Sequence, residues 1–79
     1  RLMSYGYSLR LVVMNKAANQ ELIGVQFGAV CMEHNVPVAE IADKFGVSRQ
    51  TVYNWFCGLS SPNAKAATKI EKYTAKLEQ

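Results

Sequence analysis

Between Val38 and Gly58 the chain reads VAEIADKFGVSRQTVYNWFCG, two short amphipathic segments parted by a glycine, and no other stretch restricts the fold as tightly. Ile41, Ala42 and Phe45 recur at the spacing of one helical face, and Gly46 follows as the residue suited to the left-handed conformation that ends a helix. Val47 then plugs the corner. Ser48 is a good N-cap for a second helix with Val52, Trp55 and Phe56 inward; Arg49, Gln50, Thr51, Tyr53 and Asn54 are polar and face away. Helices that cross this closely need a small residue at their contact, and Ala42 supplies it. The pattern is that of a helix-turn-helix, whose second helix is shaped to lie in the major groove of DNA.

The remaining sequence is consistent with one all-α domain. Seventy-nine residues hold a single domain with a modest core, which calls for compact helical packing or an oligomer. From Lys16 to Asn35 the residues Ile23, Phe27, Val30, Cys31 and His34 share one face, predicting a helix behind the motif. The motif helices are expected from Pro37 or Val38 to Phe45 and from Ser48 to Cys57, with Gly58 as the terminator. Ser60, Ser61, Pro62 and Asn63 form a loop in which Ser61 caps, and Pro62 opens, a last helix running to about Glu78. On that helix Ala66, Ile70, Tyr73 and Leu77 make an apolar stripe, and Lys65, Lys69, Lys72 and Lys76 repeat the spacing one residue earlier. The stripe either covers the core beside solvated lysines or forms a dimer seam in which the first lysines face phosphates. Residues 1–15 read differently, since Leu9, Leu11 and Val13 alternate with Ser8, Arg10 and Val12. They are expected to be an arm or strand with an oligomer contact, helix being the third option, and residues 16–79 the helix-turn-helix domain.

From Ile23 to Pro62 the chain resembles the lambda-repressor-like helix-turn-helix proteins, the Cro/CI or XRE type. The resemblance rests on Ile23-Gly24, Phe27, Val30, Ile41-Ala42, Gly46-Val47-Ser48, Thr51-Val52, Gly58 and Pro62. It implies a bundle of about four main helices that binds double-stranded DNA, with base contacts from Arg49, Gln50 and Asn54 and phosphate contacts from Ser60, Ser61 and Asn63. The chain departs from the family at Val38, where many members carry Gln, and at Cys31 and Phe56, where many pair an Arg with a Glu. The second departure reads as an apolar contact replacing a buried ion pair. Small members of the family resemble phage and prophage regulators, which implies a repressor-like homodimer acting by operator occupancy in the cytoplasm.

The side chains themselves suit that role. A guanidinium such as that of Arg49 can bond guanine O6 and N7, and the amides of Gln50 and Asn54 match adenine N6 and N7. Tyr53, Ser48, Thr51 and Lys65 are placed for the backbone. Thr51 can equally meet a thymine methyl or bond within the helix. The net charge of +3 suits a polyanion, and four of the nine basic residues lie beyond Asn63. Two cysteines without a secretory signal argue for free thiols in a reducing cytosol. Cys31, His34 and Cys57 lack the paired spacing of a structural zinc site, so no metal or cofactor is expected. One histidine and no phosphate-binding glycine loop argue against an enzyme. The rival function is a protein-interaction module, such as a phage factor binding host polymerase, a packaging subunit or an antitoxin, engaged through Tyr5, Tyr7, Leu9, Leu11 and Val13.

Overall fold

The computed structural model describes residues 8–78, which form five helices. These are α1 (Leu9–Ala17), α2 (Ile23–Glu33), α3 (Val38–Phe45), α4 (Arg49–Cys57) and α5 (Ala64–Leu77). There is no strand among the described residues, and none of their helices is long and apolar enough to cross a membrane.

The arm or strand expected over residues 1–15 is helical from Leu9 onward; residues 1–7 of that expectation lie outside the described residues. Ser8 starts α1 as its N-cap, accepting the Leu11 N–H at 3.1 Å. The inward side of α1 carries Leu11 and, one turn on, Asn15, so a polar residue holds a core position and conceals the helical period. Leu9 and Val13, whose alternation suggested a strand, face outward. The single helix expected from Lys16 to Asn35 is correspondingly divided: α1 ends at Ala17, and α2 begins at Ile23. The end of α2 is set by Asn35 at φ 58°, a left-handed position that asparagine tolerates, with Val36 N–H returning to the Cys31 carbonyl at 2.9 Å.

Two glycines bring α2 close to α4. A Cβ on Gly24 would sit 2.8 Å from the Trp55 carbonyl oxygen, and one on Gly28 would sit 2.7 Å from Asn15 Nδ2 and 2.8 Å from Phe56 Cγ. The motif itself follows the expected plan. Gly46 at φ 67° closes α3, Ser48 caps α4 by accepting the Thr51 N–H at 3.2 Å, and Gly58 at φ 76° closes α4. The start of α5 is a correction. Asn63, not Ser61, is its N-cap, accepting the Ala66 N–H at 2.8 Å, and Pro62 lies before the cap. Of the two roles open to the α5 stripe, covering the core is the one observed: Ile70 is buried, and Ala66, Tyr73 and Leu77 pack against the core.

Phe27 is the hub of that core, with ring centroids of Phe45, Phe56 and Tyr73 at 5.6, 5.8 and 6.0 Å. Cys31 and Phe56, the paired departure from the family pattern, are both fully buried in the same cluster, and both cysteines are free. Burial, with a smaller push from Glu40, raises the Cys31 thiol from 9.0 to about 12. Burial also lifts the Tyr73 phenol from 10.0 to about 12, aided by the charges of Glu40 and Cys31 and by its hydrogen bond to Glu40. The unfolded chain releases both protons at their ordinary values while the folded chain retains them. Over the interval from about pH 9 to about 12 the unfolded state therefore binds fewer protons, and stability falls as pH rises. Urea denaturation at several pH values across that interval is expected to show the decline, with Cys31→Ala flattening its lower end. A pH-independent midpoint would contradict it.

Candidate nucleic-acid interface

Helix α4 projects one polar face between two flanking grooves. At its first position stands Arg49, exposed beside the cap. Gln50 and Asn54, one turn apart, are joined: Gln50 Nε2 donates to Asn54 Oδ1 at 3.0 Å. That bond leaves Gln50 Oε1 as an acceptor and Asn54 Nδ2 as a donor, the complementary pair that an adenine edge satisfies. Thr51 is half-buried, with Oγ1 3.0 Å from Ser48 Oγ, so of its two alternatives the local hydrogen bond is the one present in the free protein.

The groove on one side of α4 is lined by Thr51, Ser60, Ser61, Asn63 and Lys65, together with Phe45, Val47, Trp55 and Lys69. All the expected backbone contacts except Ser48 and Tyr53 are thus gathered in one place, although they lie on α4, the following loop and α5. Asn63 commits Oδ1 to capping, which leaves its amide nitrogen for a phosphate. Trp55, only 5% exposed, forms part of the floor and the core and offers little ring surface to a base.

The groove on the other side holds Gln50, Tyr53, Asn54, Cys57 and Leu59 against Ser8, Arg10, Leu11 and Met14 of the α1 end. Tyr53 is exposed at this edge. Arg10 and Met14 were missed by the sequence reading because a strand offers no reason to lie beside α4. The signal that would have found them is Ser8 as an N-cap three residues before Leu11.

Asn15 holds this arrangement together. Its amide donates to the Phe56 carbonyl at 2.7 Å and to the Val25 carbonyl at 3.1 Å, fastening α1 to both α4 and α2. Phe56 lies in the last turn of α4, where carbonyls run out of helical partners, so the Asn15 side chain acts as a cap supplied from another helix.

Residues 29–60 match the family model of the homeodomain-like domain. The match spans the later part of α2, all of α3 and α4 and the first loop residues, the segment that carries the motif. It supports the helix-turn-helix and does not single out the lambda-repressor-like branch. No curated protein and no solved structure matches the chain.

The metal combination weighed in the sequence is not assembled as a surface site, since Cys31 is buried and His34 is exposed at the end of α2. His34 instead meets Glu33 and Glu78, with ligand atoms within 4.8 Å of one another and all three residues exposed. Such carboxylate groupings are ordinary on helix ends.

Proposed function

We propose that the chain is a sequence-specific double-stranded DNA-binding transcription regulator that acts as a homodimer by occupying its operator, in the manner of the small phage regulators of the Cro/CI type. Carrying the reading is the outward face of α4, where Arg49 and the coupled Gln50–Asn54 pair stand between a groove of hydroxyls, amide and lysine and a groove flanked by Arg10. In this reading Arg49 contacts guanine, Gln50 and Asn54 together contact a neighbouring A·T pair, and Ser48, Thr51, Tyr53, Ser60, Ser61, Asn63 and Lys65 hold the phosphates on either side.

The test is selection of bound duplexes from a random pool, followed by sequencing. The wild type is expected to enrich a two-fold symmetric site, and Arg49→Ala and Gln50→Ala each to lose discrimination at particular base pairs, about 1–3 kcal/mol per contact. Wild-type enrichment of nothing, with affinity falling steeply in salt, would reduce the protein to phosphate attraction.

One observation keeps the interaction-module reading in view: Leu9 and Val13 are 66% and 56% exposed, one turn apart on the outer side of α1. The same face is the candidate dimer seam. Leu11, placed with them in the sequence reading, is buried, so a charge there tests folding rather than an interface. Leu9→Glu with Val13→Glu is the appropriate probe. If the pair leaves DNA binding and dimerisation intact but releases a bound protein, the module reading prevails.

A further inference from the structure

A third groove lies on the face shared by α3 and α5, lined by Lys44, Phe45, Lys69, Lys72, Tyr73 and Lys76 and about 300 Å³ in volume. We propose that it binds the phosphate backbone of duplex flanking the site read by α4, an inference that rests on the DNA-binding reading above.

Four ammonium groups share this groove, and no carboxylate lines it among the described residues. Gathered on one side of the domain, they make a positive patch that attracts an anion. Two of the lysines are also held in place. Lys44 Nζ stands 5.7 Å from the Tyr73 ring centroid and Lys69 Nζ stands 5.9 Å from that of Phe45. Cation–π attraction thus fixes neighbouring positive groups over adjoining rings, which reduces the ordering cost of binding. Acidic residues lie to the sides: Glu40 accepts the Tyr73 hydroxyl at 3.3 Å, and Glu71 and Glu78 line a separate groove between α2 and α5.

Phosphodiester is favoured as the occupant by continuity. Phe45 and Lys69 line both this groove and the one holding Thr51, Ser60, Ser61, Asn63 and Lys65, so the lysines of α5 continue from one groove into the other. Lys65 to Lys76 covers roughly 16 Å at 1.5 Å per residue, the length of about five base pairs at 3.4 Å each. Duplex extending past the half-site would follow that track.

The experiment uses the full chain and duplexes of two lengths, one ending at the selected site and one longer by about a helical turn on each side, in a salt titration. For the wild type the longer duplex is expected to bind more tightly. With Lys44→Gln, Lys72→Gln and Lys76→Gln combined, which spares the Lys69 shared with the groove beside α4, the short duplex is expected to bind as before. On the long duplex, binding should weaken about tenfold or more, and the slope of log K against log salt should become shallower by about 2.7, near 0.9 for each phosphate lost. Lys72→Gln with Lys76→Gln, which leaves both ring contacts in place, is expected to give about two thirds of that slope change. An unchanged slope on long duplex, or a wild type indifferent to length, overturns the inference. So does a triple variant unaltered on DNA that no longer binds polyglutamate, which would assign the groove to an acidic protein segment. The same titration on random duplex of both lengths separates the two levels: loss of sequence selection refutes the regulator, while the lysine effect stands or falls on its own slope.

Discussion

Gly28→Ala is expected to destabilise the fold by about 2–3 kcal/mol, although an alanine in an open helix interior would gain about 1 kcal/mol over glycine. The added methyl meets Asn15 Nδ2 at 2.7 Å, Phe56 Cγ at 2.8 Å and Phe56 Cδ1 at 3.0 Å. Neither neighbour can give way easily. Asn15 is pinned by its two bonds to carbonyls, and Phe56 is fully buried with its ring edge-on to Phe27. The strain is relieved only by moving α2 away from α4, which opens the core that Phe27, Val52 and Trp55 fill. In a domain of this size a loss of that order lowers the melting temperature by roughly 10–20 °C. A thermal melt followed by circular dichroism measures it directly, and a midpoint equal to or above that of the wild type would show that the helices do not approach as closely as described. Since α4 carries the proposed reading face, whatever Gly28→Ala protein remains folded should also bind duplex less tightly.

What the sequence revealed and what it hid divide along a physical line. The motif was legible because its determinants are local. Gly46 and Gly58 end helices by their own conformation, Ser48 caps through a hydrogen bond three residues long, and Val52, Trp55 and Phe56 mark an inward face by spacing alone. The polar face of α4 came with it as the complement of that spacing. Helix α1 was hidden because its second core position is Asn15, while the apolar Leu9 and Val13 lie outside; a pattern reader then sees period two where the backbone has period 3.6. The α5 cap was misplaced by two residues since Ser61 and Asn63 are both competent caps, and only the approach of the Ala66 N–H distinguishes them. Arg10 beside Asn54, and Lys44 beside Lys76, are consequences of tertiary packing between segments far apart in the chain. No local period announces them.

Asn15→Ala is the second large effect, expected to cost about 2–4 kcal/mol. The side chain is only 2% exposed, and its amide supplies two buried hydrogen bonds, at 2.7 Å to the Phe56 carbonyl and at 3.1 Å to the Val25 carbonyl. Elsewhere in that turn the Asn54 carbonyl accepts from Leu59 and Ser60, and the Trp55 carbonyl accepts from Gly58. Alanine therefore removes a donor from the last turn of α4 and leaves a void where α1, α2 and α4 meet. Asn15→Leu separates the two losses, because it restores most of the volume without the donor and should recover only the cavity part. Urea denaturation checks both, with the midpoint falling and the slope of the transition unchanged. A midpoint at the wild-type value in Asn15→Ala would mean that α1 does not fasten α4. The two large effects are also coupled, since the Nδ2 atom that the Gly28→Ala methyl strikes is absent in Asn15→Ala. The double variant is therefore expected to be less destabilised than the sum of the singles, by about 0.5–2 kcal/mol, as groups sharing one contact require.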